Sequence, residues 1–173
     1  MAEELKAIIE ALIFAADSPL EVKKIAEITG INDINEIFSH IDALKQEYAT
    51  RKSGLELVFV AGGFQFRTRP DLAHWVRKLR GSSNTLTPAS LETLAIVAYR
   101  QPIVKAEIDR IRGVDSGGPL KKLLEKKLIR IVGRKDVPGK PIIYGTTKHF
   151  LEVFHLKDLS ELPSPEEIRE LEE

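Results

Sequence analysis

An internal duplication is the sequence feature that most constrains the fold of this 173-residue chain. At an offset of 83 residues, segment 11–20 (ALIFAADSPL) aligns with segment 94–103 (LAIVAYRQPI). The register then continues without a gap, so that Ile25 meets Ile108 and Gly30 meets Gly113. A shared order of helix, turn proline, helix and glycine is typical of a repeated structural unit. We therefore expect two copies of one small domain.

The first copy has the pattern of three helices followed by a β-hairpin. Apolar residues at helical spacing predict a first helix that ends before Pro19, a short second helix closed by Gly30, and a longer third helix. Two β-prone runs, 55–60 and 64–68, flank Ala61-Gly62-Gly63 and predict a hairpin. This order of elements is that of a winged helix. The predicted core residues of the three helices are Leu5, Ile8, Ile9, Leu12, Ile13, Ala16, Ile25, Ala26, Ile28, Ile34, Ile37, Phe38, Ile41, Leu44 and Tyr48.

A fourth helix is predicted after the first hairpin, and the second copy then repeats the winged-helix pattern. Thr87 suits a helix N-cap and Pro88 the first helical position. Either Asp115 caps the third helix of this copy or Pro119 is its first residue, and the sequence leaves both open. Runs 129–132 and 141–144 flank a basic loop, 133–140, which predicts a second wing. The apolar face of the fourth helix is Leu72, Trp75, Val76 and Leu79; the predicted core of the second copy is Leu91, Leu94, Ala95, Ala98, Ile103, Ile108, Ile111, Leu120, Leu123, Leu124 and Leu128.

The predicted fold class is therefore α+β, mainly α-helical with small β-wings, arranged as two tandem winged-helix domains. Residues 1–80 form the first domain, and the polar stretch around 81–86 is the predicted linker. Residues 87–157 form the second domain. Residues 158–173 are acidic and interrupted by proline, which predicts a loosely ordered tail.

Several functional classes are excluded by what the sequence lacks. Because there is no cysteine, a disulfide framework, a thiolate zinc site and a cysteine nucleophile are ruled out. The four histidines have no metal-ligand spacing, and Gly139-Lys140-Pro141 lacks the Ser or Thr of a phosphate loop. We expect no catalytic residue, metal, cofactor or small-molecule ligand, and hence no enzyme. The acidic start and the short apolar runs predict a cytoplasmic protein outside the membrane.

Charge is unevenly distributed, although the net charge of the chain is zero. Residues 81–150 contain 13 Lys and Arg against 6 Asp and Glu, which gives this segment a net charge of +7. A basic recognition helix and wing can neutralise DNA phosphates, so a DNA-binding transcriptional regulator of the winged-helix type is the alternative function. The candidate nucleic-acid contacts are Lys121, Lys122, Arg134, Lys135 and Lys140.

The third helix of each copy argues against DNA as the main partner. In the second copy it carries leucines and few side chains that read base edges. In the first copy it has Asp33, Glu36, Asp42 and Glu47 against only Lys45, which would repel phosphate. We favour solvated surface charge for the basic cluster, with a weak or indirect contact to DNA.

Segments 91–103 (LETLAIVAYRQPI), 111–115 (IRGVD), 128–141 (LIRIVGRKDVPGKP) and 144–147 (YGTT) closely resemble the segregation and condensation protein B family. The resemblance covers most of residues 87–150, and the first copy matches mainly in its pattern. It implies two winged-helix domains and a homodimer formed largely through the first. It also implies binding to a kleisin subunit, segregation and condensation protein A, which bridges the heads of an SMC ATPase. The implied function is chromosome condensation and partition at the nucleoid, without catalysis.

Two features of the second copy are candidate partner-binding sites. Tyr99, Arg100, Gln101 and Pro102 join its first and second helices, and Arg112 stands beside a helix-ending glycine. A tyrosine ring packs while its hydroxyl and a neighbouring arginine reach polar groups, so these residues can contact a partner. The alternative, which we favour, is structural, with Tyr99 on the core, Arg100 paired with a carboxylate such as that of Glu107, and Arg112 placed near a helix C-terminus.

Overall fold

The computed structural model describes residues 2–80, 86–164 and 167, and these form two compact units. Among the described residues, the first unit takes 2–80 together with His155–Asp158, and the second takes the remainder. The predicted linker, Leu86 excepted, and most of the predicted tail beyond Ser164 lie outside the described residues.

The first unit has the predicted winged-helix order. Three helices precede a two-stranded hairpin, and Ile25 of the second helix lies fully buried between its neighbours. The elements are α1 (Ala2–Ala15), α2 (Val22–Thr29), α3 (Ile34–Thr50), β1 (Leu55–Val60), β2 (Gly63–Thr68), a 3-10 turn (Pro70–Leu72) and α4 (Ala73–Arg80). The core of the unit is formed by Ile9, Ile13, Ile25, Ile37, Ile41, Leu44, Tyr48, Leu57 and Phe64.

The hairpin of the first unit turns on two residues. Ala61 and Gly62 have φ values of 50° and 81°, and positive φ at both central residues is the geometry that suits a tight hairpin. The sequence predicted a three-residue connection, and this was wrong because Gly63 already pairs with Val60 in the strand. A backbone bridge joins the hairpin to the α1–α2 connection: the Leu20 amide donates to the Phe64 carbonyl (2.8 Å) and the Phe64 amide donates back (2.9 Å).

The second unit repeats this architecture with one additional short strand. Ile103 and Val104 pair with the second wing strand, so the antiparallel sheet has three strands in the order β3-β5-β4. The sequence missed β3 because two residues carry no alternating pattern. The elements are α5 (Pro88–Arg100), β3 (Ile103–Val104), α6 (Lys105–Arg112), α7 (Gly117–Glu125), β4 (Ile129–Arg134), β5 (Ile142–Thr146), α8 (Lys148–Val153) and a 3-10 turn (Leu159–Glu161). The predicted fold class is confirmed.

Side-chain hydrogen bonds are found at the starts of α5 and α7 in the second unit. Thr87 accepts a hydrogen bond from the Ser90 amide (3.3 Å), as its predicted capping role requires. The Asp115 carboxylate accepts from the amide of Gly117, the first residue of α7, at 3.0 Å. Pro119 therefore lies within the first turn of α7 and does not begin it.

The duplication holds in the second helices but not in the first. Helices α2 and α6 coincide at the offset of 83, and each ends at a glycine with φ of 72°. In the first helices the same offset aligns exposed Phe14 with buried Val97, so the gapless register was wrong there. The reason is the connection to the second helix, which takes residues 16–21 in the first unit and only 101–104 in the second.

Part of the predicted core is solvent-exposed. Helical periodicity assigned too broad a face of each helix to the core. In α5, Ser90 and Thr93 face the core of the second unit, whereas the neighbouring Leu91 and Ala95 are exposed. The Thr93 hydroxyl donates to the Ala89 carbonyl at 2.8 Å, which satisfies its polar group inside the core. The other large predicted core residues that prove exposed are Ile8, Ile28, Ile34, Phe38, Trp75, Leu79 and Ile111.

Candidate functional site

The corner between α5 and α6 contains the first group of predicted partner-binding residues, and Gln101 holds it together. Its side-chain oxygen accepts from the Thr146 amide (2.8 Å), and its side-chain nitrogen donates to the Thr146 hydroxyl (3.0 Å) and the Ala98 carbonyl (3.2 Å). The peptide bond between Gln101 and Pro102 is cis. Gln101 therefore ties the end of α5 to β5.

The neighbours of Gln101 are directed differently. Tyr99 is exposed, and its hydroxyl donates to the Pro163 carbonyl at 2.7 Å. Arg100 and Pro102 are also exposed. The structural alternative placed Tyr99 on the core and paired Arg100 with a carboxylate such as that of Glu107. The position of Tyr99 was wrong, because this residue lies at the surface. The carboxylate of Glu107 binds Lys135 at 2.6 Å.

Arg112 occupies a nearly closed position. Its side chain is only 6% exposed, its Nε lies 3.0 Å from the Glu92 carboxylate on α5, and its guanidinium donates to the Asp115 carbonyl at 3.5 Å. The guanidinium therefore joins α5, the end of α6 and the turn before α7. This matches a structural role for the arginine, since little of its charge is left for a partner.

A second ionic cluster fixes the angle between α6 and α7. Lys105 binds the carboxylates of Asp109 (2.6 Å) and Asp115. Asp109 also accepts from the amide of Ser116 (2.8 Å) and from its buried hydroxyl. The hydrogen bond from Lys105, followed by that from the Ser116 hydroxyl, lowers the pKa of Asp109 to about 2. The carboxylate is thus ionised at neutral pH and clamps the helix-turn-helix.

The candidate nucleic-acid residues are only partly available for phosphate. Lys121 on α7 and Lys140 in the wing are exposed, and Lys122 is half-buried. Arg134 donates to the Lys140 carbonyl at 3.0 Å and so closes the wing loop, while Lys135 is neutralised by Glu107.

Exposed apolar residues are the surface feature that the sequence reading missed. Ile28 and Ile111 occupy equivalent positions on α2 and α6, and each is 52% exposed. An apolar residue that recurs at a buried position of both units is explained by core packing, but one that recurs at an exposed position is not. The alignment of the two copies already matched Ile28 with Ile111, but helical periodicity assigned both residues to the core.

Another apolar surface lies along α1. Phe14 is 72% exposed, and it lines a shallow pocket of about 250 Å³ together with residues of α1 and α3. The Tyr48 hydroxyl donates to the carboxylate of Glu10 at the edge of this pocket. The lining residues are Ala7, Glu10, Ala11, Phe14 and Tyr48.

Within residues 2–80, 86–164 and 167, no cluster of three or more His, Asp or Glu side chains is arranged to hold a metal ion. None of the helices described there is both long and apolar enough to cross a bilayer. What these residues do form is a pair of winged-helix units, both with exposed apolar residues. Fold and surface together define a tandem winged-helix protein.

The particular family follows from comparison with known proteins. The family model of the segregation and condensation complex subunit ScpB matches residues 7–165, and the chain belongs to this family. A segregation and condensation protein B from Syntrophotalea carbinolica is 51% identical over 169 residues, which are 97% of this chain and 85% of that protein.

Solved structures similar to this chain include members of the same family. ScpB from Mycobacterium tuberculosis is 34% identical, with 89% of this chain and 96% of that chain covered and a TM-score of 0.44. The dimer of an ScpB N-terminal domain complexed with ScpA peptide is 32% identical, with 44% of this chain and 95% of that chain covered and a TM-score of 0.42.

Proposed function

We propose that this chain is a non-catalytic adaptor of an SMC–kleisin complex, which binds the kleisin subunit segregation and condensation protein A. Through the kleisin it associates with the SMC ATPase and supports chromosome condensation and partition in the cytoplasm, at the nucleoid. The observation that carries this proposal is the family match over residues 7–165, which spans both winged-helix units.

The surfaces of the two units support binding to a polypeptide. Ile28 and Ile111 expose apolar area at the same place in each unit, and apolar residues in a polar surround are typical of protein interfaces. In the second unit, the exposed side chains of Tyr99, Arg100 and Pro102 are the proposed partner contacts. Gln101 positions them by tying the end of α5 to β5, while Arg112 holds α5 against the end of α6.

We also propose that the first unit forms the homodimer, through α1. Phe14 projects beside a pocket lined by Ala7 and Ala11, so one helix face offers both a large apolar side chain and a shallow recess. A two-fold interface uses the same patch on both copies, and such a self-complementary face suits it. Light scattering should give a dimer for the wild type and a monomer for Phe14→Asp. Leu79→Asp, on exposed α4, is the matched control and should remain dimeric.

The proposed boundaries are 1–80 for the dimerising domain and 87–157 for the partner-binding domain, with 158–173 as the tail, although His155–Asp158 cluster with the first unit in the structure. Separate expression of segments 1–80 and 87–157 tests this division. Each segment should show a cooperative thermal transition by circular dichroism. Failure of either segment to fold alone would contradict the boundary.

One titration separates the proposed function from its DNA-binding alternative. Binding of the full chain to a kleisin fragment and to duplex DNA is measured across a salt series. Binding through apolar burial should survive moderate salt, whereas phosphate neutralisation weakens steeply as salt rises. If only DNA binds, and reversing the charges of Lys121, Lys122, Arg134 and Lys135 abolishes it, the kleisin-binding proposal is wrong.

A further inference from the structure

Helix α5 has a line of apolar side chains on its solvent side. Leu91 is 46% exposed and Tyr99 is 42% exposed, and Pro88 and Ala95 are exposed as well. Their spacing of i, i+3, i+7 and i+11 places the four side chains in one row along the helix. Apolar residues scattered singly over a surface need no explanation, whereas a continuous row indicates a surface that another segment covers. We name Pro88, Leu91, Ala95 and Tyr99 the α5 stripe.

The end of the chain reaches one end of the α5 stripe. The Tyr99 hydroxyl donates to the Pro163 carbonyl at 2.7 Å, across 64 positions of sequence. Just before this contact the chain turns, because the Leu162 amide donates to the Leu159 carbonyl at 3.2 Å. Leu162 and Ser164, on either side of Pro163, are half-buried. All of these residues belong to the second unit, so this unit anchors the segment that leads into the tail.

The residues after this anchor carry the signals of a helix start. The Glu167 amide donates to the Ser164 hydroxyl at 3.2 Å, and the Ser164 amide donates back to the Glu167 carboxylate at 2.6 Å. This reciprocal pair is a capping box, and Pro165 suits the first helical position. In the sequence that follows, Ile168 and Leu171 lie at i+4 and i+7 from Ser164, which predicts one apolar helix face. Because Ser164 is half-buried and Glu167 is exposed, this face is directed at the second unit.

The length of the predicted helix matches that of the α5 stripe. A helix rises about 1.5 Å per residue, so Ser164 and Leu171 are about 10 Å apart along its axis. Tyr99 and Leu91 are about 12 Å apart along α5 by the same rule. A helix that starts at Tyr99 and runs antiparallel to α5 therefore covers the stripe as far as Leu91.

Charge favours the same arrangement. Residues 159–173 contain one Arg against six Glu, a net charge of −5, whereas residues 81–150 have a net charge of +7. Glu92 is the acidic residue of α5, and its carboxylate is already bound by the guanidinium of Arg112. An acidic segment is therefore attracted to the second unit as a whole.

We propose that residues 164–173 form an amphipathic helix that docks antiparallel on the α5 stripe of the same chain. Ile168 then packs against Ala95, and Leu171 packs against Leu91. Composition alone predicts a loosely ordered tail, because a short isolated helix is unstable in water. Burial of two apolar side chains on the α5 stripe supplies the tertiary packing that such a helix needs.

The docked helix gives the second unit its own competitor for a partner. It covers Tyr99, which is one of the proposed partner contacts, so a partner must displace the tail to reach that residue. This consequence rests on the function proposed above, whereas the docking itself does not.

Disulfide trapping tests the docking directly, since the chain has no cysteine of its own. Ala95→Cys with Ile168→Cys should form a bond within one full-length chain under mild oxidation. The control pair is Ala95→Cys with Arg169→Cys, because Arg169 lies on another face of the predicted helix. The first pair should react at least about tenfold faster, since docking holds its sulfurs at bonding distance while tethering alone does not.

Non-reducing gels separate the outcomes of the trapping experiment. A bond within one chain gives a monomer band of increased mobility, as the proposal requires. Equal rates for the two cysteine pairs would overturn the docking. A disulfide-linked pair of chains would assign the α5 stripe to the tail of a second copy, which would also overturn it.

The competition is tested by the affinity for the full-length kleisin encoded in the same genome. Deleting residues 159–173, or combining Ile168→Ser with Leu171→Ser, should lower Kd about threefold or more, because the binding-competent fraction rises. Arg169→Ser is the matched control and should leave Kd unchanged, and thermal melts check that every variant is folded. An unchanged or higher Kd after deletion would refute the competition. If no form binds kleisin, the proposed function fails, while disulfide trapping still decides the docking.

Discussion

Gly63→Ala should selectively destabilise the first unit, because no side chain fits between β2 and the α1–α2 connection. A Cβ at this position would lie 2.6 Å from the Pro19 carbonyl carbon, 2.7 Å from its oxygen and 2.8 Å from the Leu20 carbonyl carbon. All three atoms belong to the backbone, so the connection must separate from the hairpin. The two hydrogen bonds between Leu20 and Phe64 then break.

The expected cost of Gly63→Ala combines these two losses. Each of the two backbone hydrogen bonds contributes about 1 kcal/mol, and displacing the well-packed connection costs about 1 kcal/mol more. The free energy of unfolding should therefore fall by about 3 kcal/mol. In a domain of this size 1 kcal/mol lowers Tm by roughly 4–8 °C, so a shift of roughly 12–24 °C is expected.

Two other glycines serve as controls for Gly63→Ala. Gly118 in α7 has open space around its Cβ position, so Gly118→Ala should be neutral or stabilising by up to about 1 kcal/mol. Gly62 also has open space but a φ of 81°, so Gly62→Ala isolates the conformational cost of about 1 kcal/mol. Thermal melts are followed by circular dichroism and by Trp75, the only tryptophan, which lies in the first unit. If Gly63→Ala costs no more than Gly62→Ala, the steric argument is refuted.

Three further perturbations test the clamps and the core. Because the pKa of Asp109 is lowered, its ionised form stabilises the second unit at pH values above the ordinary carboxyl pKa, and this stabilisation is lost as pH falls towards about 2. Asp109→Asn should therefore lower the Tm strongly at pH 7 and only slightly near pH 2, as measured by calorimetry. Ile25→Ala should cost ~2–5 kcal/mol in urea unfolding, whereas Ile28→Ala, exposed on the same helix, should cost less than ~0.5 kcal/mol. Arg112→Lys should lower the stability of the second unit by ~1 kcal/mol despite retaining the charge, because lysine cannot reproduce the geometry of the guanidinium; equal effects of Arg112→Lys in wild-type and Glu92→Gln backgrounds would contradict the pairing.

The candidate site divides into residues that a sequence can suggest and contacts that it cannot. Tyr99 and Arg112 stood out by residue type and by position next to a helix end. Their surroundings decided opposite outcomes, since Tyr99 is exposed and Arg112 is almost enclosed between Glu92 and the Asp115 carbonyl. Of the two groups that bind Arg112, Glu92 is distant in sequence and the Asp115 carbonyl belongs to the backbone. No local sequence pattern therefore distinguishes an arginine that joins helices from one that is free to bind a partner.

The sequence alone determined the repeated winged-helix architecture, because helical periodicity, capping residues and glycines are local signals that recur in both copies. Tertiary structure decided which apolar residues remain at the surface. Periodicity marks a helix face, but only the packing of α3 against α1, α2 and β1 separates buried Ile37 from exposed Ile34 and Phe38. The same holds for charge, since Lys135 is a free cation in the sequence and becomes half of an ion pair only when the wing folds beside Glu107.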